Sequence, residues 1–342
     1  MADQKTLDMV VLGAGRIGKM HAELLARSVS STNLLGVFDV VPESAQHVAN
    51  DLGVTAFATL DDALASNAQA VCIATSTDTH VDVMKAAAAA GKHIFCEKPI
   101  SLDVAMVDDG LAAVAAANVL LQIGFNRRFD PSHKAVADSV ERGEIGDPHV
   151  VKITSRDPAP PPISYIEVSG GIFNDMTIHD FDMARYVCKS EVVEVYASGA
   201  VLVDQAIGDA GDIDTAAIML KHANGAMTLI DNSRQALYGY DQRVEVFGSK
   251  GMVASENPGV NTTVLRTDQG SAGAVVPHFF IERYTQSYLD QWYAFAHAVL
   301  TNSPSPVSGA DGRAPLVIGM AAARSLAENR PVRIEEIDEP NP

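Results

Sequence analysis

The sequence predicts an α/β chain of two domains, a doubly wound parallel sheet followed by a strand-rich α/β domain. Three observations predict this. The chain has 342 residues, more than one core usually spans. Its first 125 residues repeat a unit of apolar run, turn and helical pattern, the rhythm of parallel strands joined by crossover helices. After residue 186 strand-like runs dominate instead.

Composition bounds the function. The chain is 47% hydrophobic and 20% charged, as expected of a folded soluble protein. A net charge of -18 leaves no basic excess to neutralise phosphates, so neither nucleic acid nor an anionic membrane is an expected partner. The opening "MADQKTLDMVVLG" has no basic region before a long apolar stretch, and no run reaches the ~18 apolar residues of a membrane span. Cys72, Cys96 and Cys188 are odd in number and form no CxxC. They read as buried free thiols in a reducing cytoplasm.

"LDMVVLGAGRIGKMHAELLARS" reads as strand, turn and helix. Met9 to Leu12 are apolar without alternation, which suits a strand covered on both faces. Gly13-Ala14-Gly15-Arg16-Ile17-Gly18 completes G-x-G-x-x-G. Gly13 permits the turn, Gly15 lets backbone approach a pyrophosphate, and Gly18 lets helix and strand pack closely. The helix start offers open N–H groups and a positive dipole end to the phosphates. The next strand, "NLLGVFD", ends at Asp39. An acid there can bond the ribose hydroxyls of adenosine and repels a 2′-phosphate, and no Arg follows. These residues favour NAD over NADP, although Asp39 also suits a turn or helix cap.

The alternation continues through "DLGVTAFATLDDALAS", with a helix capped near Asp61, and "AQAVCIATSTDTHVDVMKAAAAAGK". Ligands of a doubly wound sheet lie beyond the carboxyl ends of its strands, so Ala74, Thr75, Ser76 and His80 are expected to line the cofactor. His80 is equally placed to cap the next helix. "HIFCEKPIS" is a strand followed by Glu97-Lys98-Pro99, where Pro99 biases Lys98 away from helical backbone and holds it on the cofactor side. "NVLLQIGFNRRFDP" supplies the last strand of the domain, giving a boundary at 125/126.

The second domain, 126–342, opens its chemistry with "GGIFNDMTIHDFDMARY". Asp175, His179 and Asp182 are spaced to share one helical face. Asp175 also suits a helix cap, and His179 a core histidine. No second histidine cluster or cysteine set completes a transition-metal site, so no metal is expected. "VVEVYASGAVLV", "TAAIMLKHANGAMTLIDNSRQ" and "QRVEVFGSKGMVAS" read as strands, with a hairpin at Asn224-Gly225. Too few helical patterns remain to cover both faces of such a sheet, so a partner chain is expected there.

With these motifs in view, the chain resembles the glucose-fructose oxidoreductase / inositol dehydrogenase / rhizopine catabolism family along nearly its whole length. "GFNRRFDPSHKAV", "SRDP" and "FNDMTIHDFDMARY" look like its inositol-oxidising branch. The resemblance implies an N-terminal Rossmann doubly wound parallel sheet and a C-terminal α/β domain with a large open, mainly antiparallel sheet. It implies NAD-dependent oxidation of a ring hydroxyl of myo- or scyllo-inositol to the keto-inositol, by a homotetramer. Lys98, Asp175 and His179 match the catalytic three, and Asp182 matches a position that contacts substrate or supports His179. His179 suits the base, and Lys98 can stabilise the alkoxide. Arg127, Asp157, Tyr238 and Tyr240 are candidate substrate linings, the tyrosines on one side of a strand. A sugar dehydrogenase of the same fold and a non-enzymatic NAD-binding sensor are the alternatives, the sensor having no need of all three catalytic residues.

Overall fold

A computed structural model describes residues 6–338. The chain begins β1 (Leu7–Leu12), α1 (Arg16–Arg27), β2 (Thr32–Phe38), α2 (Pro42–Leu52), β3 (Thr55–Ala56), α3 (Leu60–Ala65) and β4 (Ala70–Ile73). It continues α4 (His80–Ala89), β5 (His93–Cys96), α5 (Val104–Ala117), β6 (Leu121–Ile123), α6 (Pro131–Glu141) and β7 (Pro148–Arg156). Next come α7 (Ile163–Ser169), α8 (Gly171–Asp175), α9 (Ile178–Cys188), β8 (Val192–Ala200), α10 (Gln205–Asp209), β9 (Thr215–His222) and β10 (Met227–Ser233). The last are β11 (Asp241–Gly248), β12 (Gly251–Ser255), β13 (Val264–Thr267), β14 (Gly270–Gly273), α11 (Phe280–Thr301), α12 (Gly309–Glu328), β15 (Val332–Arg333) and α13 (Glu335–Asp338). No helix among the described residues is long and apolar enough to cross a membrane.

Two compact units result. The first takes the residues up to Asn126 together with Tyr288–Ala314; the second takes Arg127–Ser287 together with the residues from Pro315 on. A single cut after residue 125 therefore leaves 288–314 on the wrong side. The reason is apolar: Trp292, Phe295 and Ala296 find their partners in the N-terminal core, among them Leu7, Leu25 and Phe95. Trp292 and Phe95 lie with ring centroids 4.2 Å apart.

The first unit has a parallel sheet in the order β3-β2-β1-β4-β5-β6. This is the doubly wound Rossmann order, with its reversal beside β1. Met9 to Leu12 are fully buried, as the unbroken apolar run requires. α3 is capped by Thr59, which accepts the Asp62 N–H, two positions before Asp61.

The second unit has a seven-stranded sheet in the order β12-β11-β7-β10-β9-β8-β15. β7 and β10 pair in parallel and the other ladders are antiparallel. Gly225, at φ 89°, turns the β9–β10 hairpin where the sequence places it. Side chains alternate across the strands. Val151, Ile218, Leu220 and Ile230 face a core shared with Phe181 of α9 and Ile318 of α12. The opposite face presents Met219, Leu229, Met227, Phe247 and Met252 to solvent.

Buried polar groups also occur in this unit. His133 on α6 places Nδ1 2.9 Å from Ser255 Oγ and Nε2 3.4 Å from the Tyr284 hydroxyl. Burial pushes its imidazole down to about 4, opposed by Asp130 and helped by Arg283 and Arg127. Because the folded value lies below the ordinary 6.5, the stability involved is complete above that value and is lost as pH falls towards and through about 4. Melting temperature should therefore drop between pH 7 and 5, and drop less in His133→Gln. Acidification also relieves the self-repulsion of an acidic chain, so the difference between the two proteins is the quantity to measure by calorimetry. Parallel melting curves would contradict the assignment.

Candidate active site

In the first unit the G-x-G-x-x-G turn is built as its glycines require. Gly13 has φ 101°, and a Cβ there would run into the Ala74 carbonyl. A Cβ on Gly18 would collide with the Gly13 carbonyl, whereas one on Gly15 would meet nothing within 4 Å. Gly15 is the N-cap of α1, with no side-chain cap and no acid in the first turn. Arg16 and Ile17 begin the helix, and its N-terminal dipole end, with room left above Gly15, fits a diphosphate. Asp39 closes the turn from β2: Oδ2 accepts the Ala14 N–H at 2.6 Å and Oδ1 the Val41 N–H at 2.8 Å. Its carboxylate retains lone pairs for a ribose diol.

Beyond β4 and β5, the Ala74-Thr75-Ser76 loop and the Glu97-Lys98-Pro99 turn follow as the sequence predicts. Glu97 Oε1 lies 2.7 Å from His21 Nε2, and Lys98 is half-buried. His80 is a correction. Its ring is buried, with Nδ1 2.8 Å from the Pro99 carbonyl and Nε2 3.2 Å from the Thr75 carbonyl. Burial lowers its pKa, against those carbonyls, Glu97 and Asp78. A neutral ring has one proton, and the shorter contact assigns it to Nδ1. His80 therefore braces the loops and does not line the cofactor with its side chain.

In the second unit Asp175 and His179 sit on successive short helices, not on one. Asp175 ends α8, and Met176 and Thr177 turn the chain into α9. Thr177, not Asp175, is the N-cap, so the capping alternative for Asp175 does not hold. The Asp175 carboxylate is instead gripped from outside the helix. Oδ1 accepts the Tyr165 hydroxyl at 2.8 Å, and Oδ2 accepts Arg234 Nη1 at 3.2 Å. Arg234 is 1% exposed and also donates to Asp212 at 3.3 Å, while Asp212 accepts the Ile172 N–H at 3.1 Å. Sequence reasoning missed Tyr165, Arg234 and Asp212. Arg234 lies 59 positions from Asp175, and only the fold brings them together.

Asp157 lies just past β7 in the same field. Burial pushes its carboxyl up to about 6, Asp175 adds to this, and Arg127 and Arg234 draw it back. Arg127, a candidate substrate lining in the sequence, sits in a buried polar network. It is buried, with Nη1 donating to Asp180 at 2.7 Å and to Ser155 at 3.3 Å, and Nη2 donating to Tyr240 at 3.2 Å. Burial disfavours its charge, but Tyr240, Tyr284 and Asp180 outweigh that and raise its pKa. Burial also raises Asp180, against Arg127, Asn232 and Ser155. Tyr240 is 5% exposed and belongs to this network.

Asp182 is buried and takes a bidentate grip from Arg128, with Nη2 at 2.6 Å and Nε at 2.9 Å. Such a fork anchors α9. Tyr238 and Tyr240 do not share a side. They precede β11, and Gly239 at φ 128° breaks the alternation between them. Tyr238 is exposed and bonds Arg156 at 3.0 Å and Asp241 at 2.5 Å.

Comparison with known proteins now bears on this geometry. Residues 7–125 match the oxidoreductase family with an NAD-binding Rossmann fold, and 133–254 match the GFO/IDH/MocA C-terminal domain. A myo-inositol 2-dehydrogenase of Thermotoga maritima is 49% identical over 96% of this chain and 98% of its own. An inositol 2-dehydrogenase of Rhizobium meliloti is 45% identical over 96% and 99%. The crystal structure of scyllo-inositol dehydrogenase from Lactobacillus casei, with bound NAD(H) and scyllo-inositol, superposes with TM-score 0.90 at 30% identity, covering 96% of this chain and 99% of that one. The chain belongs to the GFO/IDH/MocA oxidoreductase family, with NAD as the cofactor of its Rossmann fold.

Proposed function

We propose that this protein oxidises a ring secondary hydroxyl of inositol, myo or scyllo, to the keto-inositol. The observation that carries the reading is the Asp175 carboxylate, held by buried Arg234 and by Tyr165 four positions before His179. Inositol is the substrate named for the relatives, and an uncharged polyol suits a site of carboxylates and imidazole.

When bound, NAD accepts the hydride from the ring carbon. Residues 13–18, Asp39, the 74–76 loop and the Glu97-Lys98 pair hold it in the first unit. His179 takes the hydroxyl proton, the general-base role that imidazole most often fills. Lys98 donates to the oxygen as negative charge develops on it. Asp175 accepts from a neighbouring hydroxyl. Asp157, with its carboxyl near 6, is an acceptor at neutral pH and becomes a donor on acidification.

The test is NADH formation with a panel of polyols and sugars. Myo- or scyllo-inositol should be turned over in preference to glucose and xylose. His179→Ala should lose roughly 10²- to 10⁴-fold in kcat, the usual worth of a positioned base, while NAD binding by calorimetry barely changes. A preference for an aldose would favour the sugar-dehydrogenase alternative, and a fully active His179→Ala protein would remove the base.

Assembly as a homotetramer is part of the same reading, and the three buried free thiols suit a reducing cytoplasm. Support for assembly comes from the second sheet, where Met219, Leu229 and Phe247 stand on an uncovered face. An apolar sheet face is ordinarily packed. Sedimentation should report four chains, and Leu229→Asp should shift the protein to smaller species. A wild-type monomer at micromolar concentration would contradict this.

A further inference from the structure

The first unit contains a buried polar chain that no role described so far accounts for. His21 lies on α1, three residues after Gly18, and is 0% exposed. Trp292, also 0% exposed, directs its indole N–H to His21 Nδ1 at 3.0 Å. His21 Nε2 faces Glu97 Oε1 at 2.7 Å. An indole nitrogen only donates, so Nδ1 accepts and the imidazole proton is assigned to Nε2, where it is donated to Glu97. The ring is fixed by its neighbours as well: Phe95, Tyr288 and Trp292 meet it edge-on at 5.5, 5.9 and 5.2 Å between centroids.

Glu97 is held at its backbone as well, and Gly124 leaves the room that its carboxylate occupies. Its N–H donates to the Ile73 carbonyl at 3.0 Å, and a Cβ on Gly124 would come within 2.9 Å of its carboxylate. On the far side of Lys98, the Pro99 carbonyl receives His80 Nδ1 at 2.8 Å. Lys98 is thus the one residue between two that are bound by buried histidines. Side chains that work to tolerances of about 0.5 Å need such support behind them.

We propose that His21 and Trp292 are positioning residues: the Trp292–His21–Glu97 chain fixes the Glu97-Lys98-Pro99 turn and so sets the place of the Lys98 ammonium. The relevance to catalysis rests on the role of Lys98 given above; the positioning itself does not. Packing alone predicts that any shape-conserving replacement is tolerated. Positioning predicts that the hydrogen bonds matter, because Trp292→Phe keeps an aromatic ring and removes only the donor and one ring of the indole.

The experiment compares wild type, Trp292→Phe, His21→Leu and His21→Gln, each checked for folding by thermal melting. The first readout needs neither NAD nor substrate. Lys98 in the ligand-free protein is labelled with an amine-reactive reagent, and its rate is read by peptide mass spectrometry against Lys134 and Lys152. Trp292→Phe and His21→Leu should label Lys98 about fivefold faster, the equilibrium worth of one lost hydrogen bond, with the other lysines unchanged. His21→Gln keeps a donor towards Glu97 and should stay near the wild-type rate. The second readout is turnover: kcat should fall in the first two variants, with the KM for inositol altered less, and recover in His21→Gln. Folded Trp292→Phe and His21→Leu proteins that label Lys98 at the wild-type rate would overturn the proposal. So would a folded His21→Gln protein that labels as fast as His21→Leu. If wild type fails to oxidise inositol, the proposed function falls while the labelling arm still decides the positioning.

Discussion

The second unit depends on one buried ion pair, Arg127 with Asp180. Both are almost fully buried, and Asp180 is the residue after His179. The pair is completed on every side: Asn232 donates to Asp180 at 2.9 Å, the Thr177 hydroxyl donates to Asn232 at 2.6 Å, and Tyr240 and Ser155 accept from Arg127. These contacts join the start of α9 to β7 and β10. A buried charge without its partner costs about 3–5 kcal/mol, so the register of α9 against the sheet is not negotiable. Arg128 with Asp182 repeats the device two residues further along the same helix. These pairs hold the segment that carries His179 from its neighbours in sequence.

Asp175 shows what that anchoring permits. It stands at the end of a five-residue helix, too short to be rigid alone. Its carboxylate is fixed instead by Arg234, whose second nitrogen reaches Asp212, and Asp212 in turn accepts the Ile172 N–H. The first unit uses the same economy. Asp39 ties β2 to the Gly13–Gly15 turn through the Ala14 amide, so the residue that would meet the ribose also shapes the phosphate turn. In both units a group assigned to chemistry is held by a partner distant in sequence: Asp39 by the Ala14 amide and Asp175 by Arg234.

This division explains what was legible in the sequence. The first sheet was, because an unbroken apolar run, G-x-G-x-x-G and an acid at the next strand end are local signals with local causes. Lys98 was, because Pro99 marks its turn. Asp175 and His179 were visible as residue types at a telling spacing, though the chain breaks between them at Met176 and Thr177. Arg234, Asp212 and Tyr165 were not, since nothing near them in sequence distinguishes a buried arginine from a surface one. Arg127 and His80 are polar residues beyond strand ends, and such a residue has the same appearance in sequence whether it faces a ligand or a buried partner; Asp182 stands out only by its helical spacing from His179. Tyr238 was misplaced by a single glycine, and Tyr288–Ala314 by the apolar face of Trp292 and Phe295, which only the folded first unit reveals.

In the proposed reaction carbon-bound hydrogen leaves inositol as hydride while these side chains handle only the hydroxyl. The direct measurement is turnover of inositol carrying deuterium on the reacting ring carbon, with the NADH analysed by mass spectrometry. One deuterium should appear in each NADH formed and none in the water. Unlabelled NADH, or deuterium appearing in the solvent, would show that the carbon loses a proton instead and would contradict the proposed reaction.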